Sequence, residues 1–303
     1  MNKKICAVIV TYNRLEKLKN TLSAYSNQSK RPDSLVVFDN NSNDGTAEFL
    51  KSWKNENKNN FDIDVILNGT NEGGAGGFNK ALSIAITKNC DWIWISDDDA
   101  YPNEEAFEIL KRRIDLVDES VGVICSTVMQ GGKIAQRHRR RFRNSIVTGV
   151  KEICVKNDEY RKDFFELNLY TFVGTCIRKE VLKEVGLPNA GYFIWYDDTE
   201  HSMRVNQKYK IVCDPKIVVV HDVPVSRREK TWKGFYANRN RLYTYHKHLH
   251  PIYFCIYELY YKVQLVIFFL IDKRTYKIKV SAYKEFKNNL MGISENYKPG
   301  TKV

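Results

Sequence analysis

Residues 91–99 read DWIWISDDD. An apolar run with no alternation, Trp92 to Ile95, is what a parallel strand covered on both faces requires, and here it gives way at once to Asp97, Asp98 and Asp99. Neighbouring carboxylates repel wherever they are partly desolvated, so a divalent cation or a set of donors has to meet them. The same grammar recurs upstream. ICAVIV (5–10) runs into Thr11, SLVVF (34–38) into Asp39 and DVIL (64–67) into Asn68.

Helical patterns fill the gaps between these strands. Asn13 is placed to cap a helix carrying Leu15, Leu18 and Leu22, and Asp44 one carrying Phe49, Leu50 and Trp53. A third helix is expected over about 78–87, and a fourth, capped by Asn103, over 104–117. The alternation predicts an α/β fold with a doubly wound, mostly parallel sheet. Ligands of such sheets bind beyond the carboxyl ends of the strands, where Thr11, Asp39, the segment 69–77 and the three aspartates all fall.

Four further features bear on chemistry. The glycine segment NGTNEGGAGGFNKA (68–81) reads as a loop that lets backbone approach a ligand and opens into a helix N-terminus, a cradle for phosphate or sugar. It has neither the GK[ST] ending of a P-loop nor the first-strand position of a dinucleotide fingerprint. Asp197 and Asp198, with Glu200 behind them, follow the aromatic stretch GYFIWY and start a helix; a carboxylate beside a sugar-binding wall can serve as general base. His221 ends the strand KIVVVH, where a neutral imidazole could complete a metal shell with the carboxylates. The basic stretch QRHRRRFR (136–143) reads equally as a solvated loop or a binding loop.

From Trp232 onward the composition turns to tyrosine, basic residues and apolar runs, including IYFCIYELYYKVQLVIFFLI (252–271). Glu258, Lys262 and Gln264 interrupt this stretch and leave an apolar tail too short to cross a membrane, so an in-plane or protein-packed helix is expected rather than a span. An in-plane helix at an anionic bilayer, a dimer interface and a helix docked on the sheet would look alike.

The 303-residue chain carries a formal charge of +12, which suits anionic partners without choosing among them. Its seven cysteines include no CxxC pair, so neither a disulfide framework nor a zinc knuckle is indicated and a reducing, cytoplasmic compartment is expected. The first residues, MNKKICAVIVTYN, read as a strand rather than a signal peptide.

Taken together, VIVTYNR (8–14), VVFDNNSNDGT (36–46), NEGGAGGF (71–78), the aspartate triplet, WYDDTEHSMR (195–204), His221 in VVVHDVP and FYANRNRLY (235–243) resemble the family 2 glycosyltransferases of GT-A fold, most closely the bacterial galactofuranosyltransferase and rhamnosyltransferase branch. The resemblance covers about the first 245 residues. It implies a nucleotide-binding half over about 1–120 and an acceptor half over about 121–245; residues 246–303, read from their composition, are expected to form a helical extension for which membrane association is one reading. The implied activity is an inverting transfer of a hexose, galactofuranose favoured, from a nucleotide diphosphate donor to a hydroxyl of a cell-surface glycan or polyprenyl-linked precursor. Rhamnose transfer from dTDP-rhamnose is the alternative.

By the same resemblance Asp97, Asp99 and His221 hold Mn²⁺ or Mg²⁺, Asp198 is the base and Asp197 orients the acceptor. Thr11, Tyr12, Arg14, Asp39, Asn71, Gly73, Gly74, Gly76 and Gly77 would line the donor, with Asp98 facing ribose or serving the fold. Arg227, Arg228, Arg239 and Arg241 are the candidates for stabilising the leaving diphosphate. One departure stands out: the common VDDGSxD form reads FDNNSND here, with Asn40 and Asn41 in place of an acid and a glycine. Two other classes compete. A nucleic-acid enzyme would share the charge and the aspartates, but no recognised nucleic-acid module appears, so no nucleic-acid partner is expected. A non-catalytic glycan-binding member of the same fold would have no need of intact carboxylates. A homo-oligomer stays open.

Overall fold

The computed structural model describes residues 3–59, 62–145, 149–223 and 231–302. The chain starts as expected, with β1 (Ile5–Thr11), α1 (Leu15–Ser26), β2 (Ser34–Asp39), α2 (Thr46–Asn57), β3 (Asp62–Leu67), α3 (Gly73–Ala85) and β4 (Trp92–Asp97). A short β5 (Ala100–Pro102), α4 (Ala106–Leu116), β6 (Val121–Gln130) and β7 (Lys133–Ile134) follow. Then come β8 (Arg139–Ser145), β9 (Gly149–Cys154), β10 (Phe165–Leu167), β11 (Leu169–Tyr170), β12 (Thr175–Arg178), α5 (Lys179–Val185), α6 (Asp197–Val205) and β13 (Lys210–His221). Three helices close the chain: α7 (Trp232–His248), α8 (Pro251–Ile271) and α9 (Lys273–Lys287).

The main sheet runs β10-β13-β6-β12-β4-β1-β2-β3, with β5 beside β13 and β7 beside β6. Strands β4, β1, β2 and β3 are parallel, β12 is antiparallel to both β4 and β6, and β13 is parallel to β6. Apolar runs are continuous because successive side chains feed two different cores. Ile5, Ala7, Ile9 and Trp94 face the layer of α1, α2 and α4, whereas Cys6, Val8, Val10 and Ile95 face that of α3 and α5. The register sets Thr11 beside Asp39 and Val10 beside Asp97, so the polar strand ends share one edge.

Several local expectations change. The glycine segment is a loop only over 68–72; from Gly73 it already forms the first turns of α3, which begins earlier than the expected 78. Asn103 does not cap α4 with its side chain; its carbonyl accepts from Ala106 N at 2.9 Å. Nor does Asn13 cap α1, whose first N–H, that of Leu15, donates to Asp44 at 2.9 Å. The final strand begins six residues before the expected 216, because Pro215, which cannot donate to a ladder, is absorbed at a register shift between Cys213 and Val218.

The basic stretch 136–143 is neither a solvated loop nor a free binding loop. After a short turn at Gln136–His138, it enters β8 of a second sheet, ordered β11-β8-β9. Arg139 is fully buried and donates to the carbonyls of Ser126, Val173 and Gly174 at 2.7–2.9 Å, using a fixed fork of donors to satisfy backbone where two sheets meet.

Candidate active site

The turn after β4 brings the three aspartates to the sheet edge, and the antiparallel pairing of β5 with β13 brings His221 to them. Asp222 N donates to Asp99 O at 2.8 Å, locking that pairing. As a result one ligand atom from each of Asp97, Asp99 and His221 lies within 4.8 Å of the others. Asp99 Oδ1 faces His221 Nε2 at 3.2 Å, yet this oxygen and His221 Nδ1 are buried without a hydrogen-bond partner. Buried polar atoms are normally paired, so unsatisfied lone pairs beside acidic groups fit a cation. Two carboxylates and an imidazole, with no thiolate, suit Mn²⁺ or Mg²⁺.

The triplet divides its duties. Asp98 is a fold element: it accepts from Thr11 Oγ1 at 2.8 Å and Arg14 at 3.1 Å, and its carbonyl accepts from Thr21 at 2.6 Å. Arg14 also reaches Asp99 at 2.5 Å. Burial, then Asp99, pushes Asp97 up to about 7. Burial also lifts Asp98 to about 6 against the pull of Arg14, whereas for Asp99 burial is outweighed by His221 and Arg14, which hold its carboxyl below the usual range. Lys233, at the start of α7, sits in the same field; burial and then Arg14 depress its ammonium while Asp97 and Asp99 support it. No sequence signal marked Lys233. His138 was missed too: its ring meets that of His221 edge-on at 5.2 Å, and its Nδ1 pairs with Thr171 Oγ1 at 2.7 Å.

The donor-side residues take less exposed places than the sequence suggests. Thr11 and Asp39 are buried, and Asp39 accepts from Ser42 N at 3.1 Å; Tyr12 is open to solvent. Asn40, the departure from the family pattern, is a buried staple. Its Nδ2 donates to Asn71 Oδ1 at 3.1 Å and Gly73 O at 2.9 Å, and its Oδ1 accepts from Glu72 N. Asn71 in turn accepts from Gly73 N at 2.8 Å.

The N-terminus of α3 is occupied by protein. Ala75 N donates to Phe193 O at 3.1 Å, so a carbonyl of the loop before α6 stands where a phosphate was expected. Gly73, at φ +72°, has to be glycine because a Cβ would overlap that carbonyl, and one on Gly77 would come within 2.7 Å of Val10 Cγ1. Gly76 backs onto Glu72, and only Gly74 of the four has open space at its Cα.

That loop leads into α6, which starts with Asp197 and Asp198. Phe193, Trp195 and Tyr196 all have positive φ (62°, 65° and 71°), a conformation bulky side chains rarely adopt unless the surroundings enforce it. Asn240 enforces it. Its buried Nδ2 lies 2.8–2.9 Å from the carbonyls of Tyr192, Ile194 and Trp195. The expected aromatic wall is mostly core, with Tyr192, Phe193 and Tyr196 buried and Trp195 46 % exposed.

Asp197 is buried at the first position of α6, and burial, then Asp198, lifts its carboxyl well above the ordinary range. Asp198 is raised by burial too, but Arg140 opposes the shift, and Thr199 N and Oγ1 donate to its Oδ1 at 2.5 and 3.0 Å. Glu200 is tied elsewhere, to Lys247 and His248 of α7 at 2.8 and 2.9 Å. Two of the expected cations are engaged within the protein. Arg239 is fully buried, binding Glu285 and Gly292 O, and Arg241 stacks 5.2 Å over Tyr196 and bonds its hydroxyl. Arg227 and Arg228 lie outside the described residues.

Comparison with known proteins bears directly on this site. The sequence profile described as glycosyl transferase family 2 matches residues 6–186. The chain belongs to that family. The match takes in the aspartate triplet and stops short of Asp197 and His221. The chain is 26 % identical over 203 residues to the galactofuranosyltransferase GlfT1 of Mycolicibacterium smegmatis, covering 66 % of this chain and 65 % of that protein. It is also 26 % identical over 224 residues to the dTDP-rhamnosyl transferase RfbF of Shigella flexneri, covering 74 % and 70 %. In fold it resembles GalNAc-T7, solved with UDP, GalNAc and Mn²⁺, at a TM-score of 0.64 and 17 % identity over 95 % of this chain and 56 % of that one.

Proposed function

We propose that this family member is an inverting, metal-dependent glycosyltransferase that moves a hexose, galactofuranose by preference, from a nucleotide diphosphate donor to a hydroxyl of a cell-surface glycan or polyprenyl-linked precursor. The observation that carries the reading is the convergence of Asp97, Asp99 and His221, with unsatisfied buried lone pairs, at the sheet edge. These three residues would hold Mn²⁺ or Mg²⁺, which when bound supplies positive charge against the departing diphosphate. Arg14 and Lys233 add fixed cationic charge on the same side.

Across the cleft Asp198 acts as base. Of the acidic pair it is the member whose charged form is supported locally, by Arg140 and the Thr199 donors, whereas burial and Asp198 lift Asp197 well above the ordinary range. As the acceptor oxygen bonds to the anomeric carbon, its proton passes to Asp198, and the bond to the β-phosphate oxygen breaks on the opposite face. One displacement inverts the centre. Trp195 offers an exposed apolar face for the acceptor sugar. In this reading residues 1–120 carry the donor half, 121–245 the acceptor half and 246–303 an appended helical unit. The unpaired state of all seven cysteines fits action in the reducing cytoplasm.

Rhamnose from dTDP-rhamnose is the second reading, favoured by the broader coverage of the Shigella relative. A thermal-shift series with UDP-galactofuranose and dTDP-rhamnose, each with and without Mn²⁺, separates the two. We expect the UDP sugar with Mn²⁺ to raise the melting temperature most. A larger shift with dTDP-rhamnose would move the assignment to the second reading, and no shift with any nucleotide sugar would sink both.

A further inference from the structure

Helix α8 is packed along one side and bare along the other. On the packed side Phe254 and Tyr261 are buried, Tyr261 Oη donates to Lys279 O at 2.9 Å, Glu258 accepts from Tyr283 Oη at 2.6 Å, and Gln264 accepts from Lys279 at 2.9 Å. The polar residues that break up the apolar stretch therefore face α9 and are used there. On the other side Ile252, Leu259, Val263, Val266, Ile267 and Leu270 are 46–75 % exposed. Their spacing repeats at the helical period, so they form one stripe along a 21-residue helix about 31 Å long. The apolar stretch is longer than the expected short tail: α8 is continuous, and by length and composition alone it is apolar enough to cross a membrane.

Charge identifies what covers the stripe. From Trp232 to the C-terminus the sequence has thirteen Lys and Arg against four Asp and Glu, a net +9 of the chain's +12. Lys273, Arg274 and Lys277 are exposed where the stripe ends, in the first turns of α9. Asp272 caps α9, accepting from Thr275 N at 3.2 Å, and beyond it the first turns carry these cations and no carboxylate, a surface suited to lipid phosphates.

We propose that α8 lies in the plane of an anionic bilayer, its stripe sunk to the acyl boundary and Lys273, Arg274 and Lys277 among the lipid phosphates. The helix stays flat. Turning it to span the bilayer would break the Glu258, Gln264 and Tyr261 bonds to α9 and carry Glu258 and Gln264 into hydrocarbon. The bilayer's anionic headgroups, rather than a second copy of this equally basic surface, match the charge.

Vesicle flotation tests this with the full chain. Wild type should float with vesicles of equimolar phosphatidylcholine and phosphatidylglycerol, stay down with pure phosphatidylcholine, and leave the anionic vesicles in high salt or alkaline carbonate. The pair Val266→Glu with Leu270→Glu, on solvent-facing positions, should keep the native circular dichroism and lower the bound fraction about tenfold; Lys273→Glu with Arg274→Glu should act similarly. Three results would overturn the proposal: equal flotation of these variants, retention of wild type after carbonate, as for a spanning helix, or a wild-type dimer by light scattering that the Val266 and Leu270 variant dissolves while no form floats.

Discussion

The two acidic clusters, Asp97–Asp99 and Asp197–Glu200, are both buried but keep different company. The first meets cations at once: Arg14 bonds two of its members, His221 faces Asp99, and unsatisfied lone pairs remain. The second begins with two carboxylates sunk at a helix start, whose charge is opposed by burial, and only Glu200 has a full set of partners. Partnered but incompletely satisfied acids suit a bound ion. Desolvated acids suit proton transfer. The lesson is that surroundings, not sequence spacing, divide the labour between two runs of aspartate and glutamate.

If the division is right, the clusters fail differently. The largest effect is expected from Asp198→Asn, which should lower kcat by about 10³-fold while donor and Mn²⁺ binding persist, since only proton acceptance is lost. Steady-state kinetics beside calorimetric titration will check it; an unchanged kcat would place the base elsewhere.

Glu200 tests the structural arm of the second cluster. Burial alone would raise its carboxyl, but His248, Lys247 and Arg204 hold it down to about 2. A folded value below the unfolded one stabilises the protein above about pH 4.5, and that contribution is lost as pH falls towards 2. It amounts to about 3 kcal/mol. Urea unfolding from pH 5 to 2 should show wild type losing this much more than Glu200→Gln; parallel acid profiles would remove Glu200 from that role.

Asp99→Asn should cost about 10²-fold in Mn²⁺ affinity by calorimetry, with melting temperature little changed. Mn²⁺ binding as tight as wild type would mean that this cluster is only an ion-pair network around Arg14.

Much of the donor edge was legible from the chain. Strands whose faces are both buried have to be continuously apolar, and a strand end is where such a run meets a polar residue, so Thr11, Asp39 and Asp97 could be aligned before any coordinates. The glycine run was misread for an equally physical reason. Small residues permit close approach without naming what approaches, and here it is the Phe193 carbonyl rather than a phosphate. Arginines behaved likewise: Arg139 and Arg239 look like surface charge in sequence but are buried, Arg139 satisfied by backbone carbonyls and Arg239 by the Glu285 carboxylate and the Gly292 carbonyl.

The sequence by itself determined the α/β order, the family resemblance and the identity of the acids, because periodicity and adjacency are local properties. Only tertiary structure decided the company each acid keeps. His221 reaches Asp99 through the pairing of β13 with β5, Lys233 enters the same field from α7, and Asn240 holds the strained turn that presents Asp198. Ionisation depends on burial and on charges brought near by folding, and a linear chain specifies those distances only through the whole packed fold.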